Sequence, residues 1–339
     1  MNNKKIFPVK YTALKIIKTK KGKIINKITK DNFLYENDVK KKFVLIKVQY
    51  ANINFKDFLM SKNNGGLIKK FPHTPGIDAS GTVYYSNSKK FKKNDKVFII
   101  AQPLGVETNG SFSQFILVPD YWINKLPKNL SLKEMMMMGT SGFTAIKALN
   151  KTLKTILRHK NKPVLVNGVT GNVGMFIIIL LKNLGITIEA ISSKKENNII
   201  LKNMGIKKIH SLKYFINVPD FALLNEKYSV IFDNLGGELF SVSLKYLIKG
   251  GVLVSIGNVL NNKSTISILP LILREISILS VNAEFSNLNE RKNIFQKFKS
   301  IKLKNMLLKK TRTISLKDVL EVMRSKNYRK KSVRFIVKI

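Results

Sequence analysis

Cysteine is missing from all 339 residues. Disulfides, thiolate zinc sites, iron–sulfur clusters and a cysteine nucleophile are excluded together. Acidic residues are few: 20 Asp+Glu stand against 61 Lys+Arg, for a formal charge of +41. Arginine is scarce as well, at 7 of those 61, and histidine numbers three. No run of about 18 uncharged apolar residues occurs, so no transmembrane helix is expected. The opening MNNKKIFPVK carries charge but neither an apolar segment nor a small-residue cleavage site behind it. It does not read as a secretory signal, and a cytoplasmic chain is the expectation.

An apolar content of 44% suffices to bury a core. The length suggests two domains or one elaborate one. The lysines are spread along the whole chain beside many Asn and Ile. Nucleic-acid readers cluster their basic residues, interleave aromatics and lean on arginine. The segment KYFINVPDF (213–221) is too sparse for that and contains an acid. The charge therefore reads as compositional drift on solvated faces, with no specific nucleic acid and no membrane as partner. A positive surface still draws anionic cofactors and substrates.

Two textures alternate along the chain. Residues 1–125 are short apolar runs broken by Gly, Pro, Asn and Asp, such as FVLIKVQY (43–50), DASGTVYY (78–85) and KVFIIA (96–101). This spacing predicts a barrel-like or partly open β-sheet. Near 131 the texture changes: Ser131 with Glu134 three residues on is a capping signal, ahead of the run Met135 to Met138, which reads as helix packing. From 163 to 260 strand and helix patterns alternate. PVLVNGV (163–169) precedes a helix over 173–185 with a Gly stop, then a strand over 186–192 and a helix over 195–205. A strand at 228 runs into Gly236-Gly237, a helix follows as far as Gly250-Gly251, and VLVSIGN (252–258) is the next strand. Alternation of this kind implies a parallel sheet with helical crossovers on both faces. The C-terminal part returns to the first texture, with a strand over 276–285, helices over 289–300 and 315–326, and the closing strand VRFIVKI. The fold class is α/β: a β-rich domain of 1–125 and 271–339, split by a doubly wound parallel-sheet domain of 126–270.

Between the strand 163–169 and its helix lies Gly168-Val169-Thr170-Gly171-Asn172-Val173-Gly174. A side chain at Gly171 would block a diphosphate from the backbone, and a larger residue at Gly174 would hold the helix off the sheet. The helix N-terminus adds partial positive charge. The setting predicts a dinucleotide, although the spacing is G-x-x-G-x-x-G. A carboxylate at the end of the second strand would hold the ribose 2′-hydroxyl of NAD. Here that place reads Ser192-Ser193-Lys194, hydroxyls followed by a cation that suit a 2′-phosphate, so NADPH is favoured. Glu189 lies three residues early and is a poorer ribose ligand.

The segments FPHTPGIDASGTV (71–83), NDKVFII (94–100), GSFSQF (110–115), GTSGFTAIKAL (139–149), the glycine turn and IFDNLGG (231–237) resemble the medium-chain dehydrogenase/reductase superfamily over nearly the full length. NINFKDFL (52–59), IKKFPHTPGID (68–78), MMGTSGFTA (137–145) and LPLILREISILSVNA (269–283) resemble its acrylyl-CoA reductase, quinone oxidoreductase-like branch. The resemblance implies a GroES-like β-rich domain plus a Rossmann domain. Zinc-dependent members place a Cys ligand where this chain has Asn54 and a His ligand where it has Ile77, so a zinc-free reductase is implied. His73 reads as a solvent-facing loop residue, and Asp57 as a carboxylate capping a helix turn.

The branch's cofactor contacts map onto Thr170, Gly171, Asn172 and Val173, and onto Ser192, Ser193 and Lys194, the last usually Arg in the branch. Asn258 would lie beside the nicotinamide end. Arg334 in the closing strand would reach the cofactor from the other domain. Phe55 replaces a common Tyr, keeping the ring for stacking and losing the hydroxyl. The implied reaction is NADPH-dependent reduction of the carbon–carbon double bond of an α,β-unsaturated acyl-CoA such as acryloyl-CoA. Asn54 is the candidate donor to the developing enolate oxygen; the sequence names no His or Tyr acid for the α-carbon, and water is one available proton source. The alternative is reduction of free quinones or enones. A more distant one is a basic binding protein without activity. Family habit implies a homodimer.

Overall fold

The computed structural model describes residues 10–31, 42–62, 66–193, 195–206, 208–300, 308, 310–325 and 333–339. Lys194 lies outside them. The chain divides into two compact units, Met1–Thr140 with Phe295–Ile339, and Ser141–Ile294.

The first unit opens with an antiparallel hairpin of β1 (Tyr11–Lys18) and β2 (Ile24–Asp31). The long β3 (Phe43–Asn52) leads into a short helix, α1 (Phe55–Met60). There follow β4 (Ala79–Ser86), β5 (Lys96–Ile99), β6 (Phe115–Pro119) and the two-residue β7 (Asn124–Lys125). β4 runs antiparallel along β3, and β6 pairs with it over 43–47. Apolar and β-branched residues dominate β3 because most of its side chains are buried, Val44, Ile46 and Val48 in one apolar cluster and Phe43 and Leu45 in another. The capping signal forms as expected at the head of α2 (Leu132–Arg158): the Ser131 N–H donates to Glu134 Oε2 at 2.9 Å, and the Glu134 N–H donates back to Ser131 Oγ at 3.1 Å. Met135 to Met138 are all buried, and the helix is broken at Gly139, which has φ 51° and ψ −165°.

The second unit carries β8 (Val164–Val166), α3 (Asn172–Asn183), β9 (Ile188–Ser192), α4 (Lys195–Asn203), β10 (Lys208–Ser211) and α5 (Leu212–Ile216). It continues with β11 (Tyr228–Asp233), α6 (Glu238–Leu244), β12 (Leu247–Ser255), α7 (Leu269–Leu273) and β13 (Ser277–Ser280). All its strand pairs are parallel, in the order β10-β9-β8-β11-β12-β13. This is a doubly wound sheet whose direction of winding reverses between β8 and β11. One expectation fails here: the helix before Gly250 ends at Leu244, and β12 starts five residues earlier than the sequence suggests. Leu247 and Ile248 have the apolar character of either element, and the sheet takes them because Gly250, at φ 68°, lets the strand bend and continue.

The chain then returns to the first unit through α8 (Leu288–Ser300), β14 (Thr311–Ser315), α9 (Asp318–Arg324) and β15 (Arg334–Lys338). β15 runs parallel to β14 and antiparallel to β3, over Tyr50 to Asn52. The resulting seven-stranded sheet has the order β14-β15-β3-β4-β5-β7, with β6 also on β3. Among the described residues no helix is long and apolar enough to cross a membrane.

Candidate functional site

In the second unit the glycine turn sits where the sheet reverses. Gly168 has φ 59°, and the Gly171 N–H donates to its carbonyl at 2.9 Å, closing the turn directly before α3. The first N–H groups of α3, from Asn172 onward, have no partner within the helix and point out of its end. The fit of turn to helix is close: a Cβ on Gly174 would come within 2.6 Å of the Gly168 carbonyl oxygen. Thr170 is half-buried and Gly171 exposed, which suits backbone that must be approached from outside. Asn258 is exposed just past β12. Its segment runs along the end of β11, with the Ile256 N–H donating to the Asp233 carbonyl at 2.8 Å and the Leu260 N–H to that of Leu235 at 2.8 Å. Thus the turn, Asn258 and the loop after β11 share the carboxyl edge of the sheet.

Ser192 closes β9 and Ser193 is exposed beyond it. Glu189, on the same strand, does not serve that end. Its Oε2 is met by His210 Nε2 at 2.6 Å, Lys227 Nζ at 2.6 Å and the Tyr228 hydroxyl at 2.8 Å. Burial opposes ionisation there, but these three hydrogen bonds and the Lys227 charge outweigh it and pull the carboxyl down to about 2.

The first unit holds a buried polar cluster around the turn from β3 into α1. Asn54 Nδ2 donates to Asn52 Oδ1 at 2.6 Å and to Asp78 Oδ2 at 3.2 Å. Asn52 in turn donates to the Met136 carbonyl at 3.0 Å, which sets the orientation of both amides. Asp78 also accepts the Thr140 N–H at 2.8 Å and the Thr140 hydroxyl. Asp57 caps its own helix, accepting the Asn54 N–H at 2.7 Å, and accepts the Gly76 N–H at 3.0 Å. Burial pushes the Asp57 carboxyl up to about 7; backbone donors pull against it, and the nearby Asp78 charge adds to the rise. Burial raises Asp78 too. Gly139 makes room for the cluster, since a Cβ there would lie 2.2 Å from Asn52 Nδ2.

Phe55 is half-buried at the first position of α1. Arg334 is buried at the head of β15, the strand that pairs with Asn52. His73 corrects the expectation of a solvent-facing loop histidine. It is buried, with Nε2 2.7 Å from the Gly105 carbonyl, because its backbone bridges to Ile16 on β1 and draws the loop inward. Sequence reasoning also missed Asn52, Asp78 and Thr140. The available signal was polar residues inside otherwise buried apolar runs, YANIN and GIDASG. Among the described residues no group of three or more His, Asp or Glu is placed to hold a metal ion.

Comparison with known proteins agrees with this architecture. The family described as alcohol dehydrogenase GroES-like domain matches residues 40–128, and that described as zinc-binding dehydrogenase matches 172–298. A putative quinone oxidoreductase YhfP of Bacillus subtilis is 31% identical over 89% of this chain and 92% of its own length. The acrylyl-CoA reductase AcuI of Ruegeria pomeroyi is 30% identical over 71% of this chain and 73% of its own. The crystal structure of Bacillus subtilis yhfP with NAD bound superposes with a TM-score of 0.89 at 29% identity, covering 98% of this chain and all of that one (100%). The chain belongs to the medium-chain dehydrogenase/reductase superfamily of oxidoreductases, in its zinc-free, quinone oxidoreductase-like branch. Its two folds are the GroES-like β-rich fold and the Rossmann fold.

Proposed function

We propose that this chain reduces the carbon–carbon double bond of an α,β-unsaturated acyl-CoA, with acryloyl-CoA as the leading substrate and NADPH as reductant. The observation that carries the reading is the glycine turn at the winding reversal, with Gly171 exposed and, behind it, the first N–H groups of α3, which have no partner within the helix. Thr170, Gly171, Asn172 and Val173 hold the diphosphate; Ser192, Ser193 and Lys194 take the 2′-phosphate. The engagement of Glu189 with His210, Lys227 and Tyr228 supports NADPH over NADH, because no other carboxylate stands on β9. Asn258, Phe55 and Arg334 serve the nicotinamide end. In this reading residues 126–270 hold the cofactor, and 1–125 with 271–339 hold the substrate.

When bound, NADPH supplies a hydride for the β-carbon of the conjugated thioester. Negative charge then grows on the thioester oxygen and must meet a preorganised donor. Asn54 fills that role by giving up its longer bond, the 3.2 Å contact to Asp78, while the 2.6 Å bond to Asn52 keeps the amide oriented. Water delivers the proton to the α-carbon. The CoA phosphates are drawn by the positive charge of the chain, an attraction that added salt weakens.

The test is NADPH consumption with acryloyl-CoA against a simple benzoquinone. Faster turnover of the thioester supports the reading. The reverse ranking promotes quinone reduction, which the likeness to the Bacillus subtilis putative quinone oxidoreductase favours.

A homodimer belongs to the same proposal. β13 ends its sheet, and Ile268, Leu269, Ile272 and Leu273 are exposed nearby. Residues 251–285 carry two bases, Lys263 and Arg274, and two acids, Glu275 and Glu284. In a chain of net charge +41 this neutral stretch suits a second copy, which brings no like charges face to face. Sedimentation of the purified chain should give a dimer mass, and a monomer throughout would refute it.

A further inference from the structure

We infer that Asn167 and Asp233 are a positioning pair that sets the height and tilt of the dinucleotide turn; the inference rests on the cofactor reading of that turn. The two residues face each other at the carboxyl ends of β8 and β11, and both are fully buried. Every polar group of Asn167 is engaged with the β11 side. Its N–H donates to the Phe232 carbonyl at 3.2 Å and its Nδ2 to Asp233 Oδ1 at 2.5 Å. Its Oδ1 accepts the Asn234 N–H at 2.7 Å, and its carbonyl accepts Asn234 Nδ2 at 2.8 Å. The next residue is Gly168, the first of the turn.

Asp233 distributes its charge toward its own loop. Oδ1 accepts the N–H groups of Leu235 at 3.3 Å and Gly236 at 3.2 Å, and Oδ2 accepts Gly236 again at 3.1 Å. One carboxylate therefore ties the loop after β11 to the root of the turn. The fit admits little slack, because a Cβ on Gly168 would lie 2.9 Å from Asn234 Cβ. Donors aimed at a diphosphate bind well only when held in place, so a shift at Asn167 is passed to the N–H groups of the turn.

The arrangement makes an exchange test possible. Asn167→Asp sets two carboxylates against each other. Adding Asp233→Asn restores a donor on one side and an acceptor on the other, and leaves the Asn234 N–H its acceptor. NADPH affinity is read by fluorescence titration, with KM for NADPH, kcat at saturating NADPH and the melting temperature measured beside it. We expect Asn167→Asp to weaken NADPH about tenfold or more, with kcat at saturation little changed, and the double variant to return within about threefold of the parent. If Asn167→Asp does not fold, Asn234→Ala is read instead. It removes only the bond to the Asn167 carbonyl, and should raise the NADPH dissociation constant about threefold with a small change in melting temperature. Unchanged binding in Asn167→Asp, a folded double variant no better than the single, or unchanged binding in Asn234→Ala overturns the inference. Failure of the unaltered chain to bind either nicotinamide dinucleotide overturns the cofactor reading itself, whatever the variants do.

Discussion

Thr140 faces Asp78 with two donors at once, its backbone N–H at 2.8 Å and its hydroxyl, while the same hydroxyl oxygen accepts the Ala101 N–H at 2.9 Å. One side chain thus links the buried carboxylate to a backbone position with φ 56°. Thr140→Val keeps the shape and removes the hydroxyl. The change should cost about 1–3 kcal/mol, the scale for leaving buried polar groups unpaired. Urea denaturation of the two proteins measures it, and equal midpoints with equal slopes would refute the linkage.

Glu189 separates stability from cofactor choice. Glu189→Gln loses the charge that Lys227 and His210 meet, so the unfolding free energy should fall by about 1.5–3 kcal/mol, the scale of a charged hydrogen bond, and the melting temperature should fall with it. The preference for NADPH over NADH should stay as it was, because the carboxylate is turned toward His210, Lys227 and Tyr228. The parent should bind NADPH much more tightly than NADH. Equal affinities in the parent would remove the Ser192-Ser193-Lys194 argument.

Asp57 makes the fold sensitive to pH in a direction opposite to an ordinary paired carboxylate. Its carboxyl lies at about 7 in the folded chain, raised above the usual value near 3.8. The folded state therefore binds the extra proton between those values, and stability is fully present below the lower one and is lost as pH rises through about 7. Denaturation midpoints should fall between pH 5 and pH 7.5, and the fall should be shallower in Asp57→Asn. A midpoint that rises over that interval in the parent, and equally in the variant, would count against it.

Chelation should leave activity untouched. Asn54 and Ile77 occupy the places that the resemblance assigns to zinc ligands, and the chain has no cysteine to replace them. Incubation with a strong chelator followed by the acryloyl-CoA assay decides the matter, and loss of activity restored by zinc would overturn the metal-free reading.

The alternation from 163 to 260 was legible because the strands and helices carry different periods and α3 and α4 are each followed by a glycine, Gly185 and Gly205, and the parallel sheet follows from that pattern. The Ser131–Glu134 cap was legible for the same reason: its partners are three residues apart. The long-range ties were not. Asn52 and Asn54, Asp78 and Thr140 come together from three segments, and no local rule links an amide on β3 to a hydroxyl beyond the end of a methionine run. His73 was misjudged for a related reason, since its burial depends on a backbone bridge to Ile16, far away in sequence. The start of β12 was lost because Leu247 and Ile248 fit a helix as well as a strand until Gly250 is seen to bend the backbone.

β15 lies against β3, so the sheet of the first unit needs residues 334–338 to complete an edge that begins at residue 50. The second unit, by contrast, is one unbroken stretch of chain. During synthesis, then, the inner unit can acquire its full set of strand partners while β3 still waits with part of its edge bare. Once residues up to 300 have left the ribosome while the last stretch is still inside it, the six-stranded parallel sheet can be complete although β3 lacks β15, and such an unpaired edge invites wrong pairing.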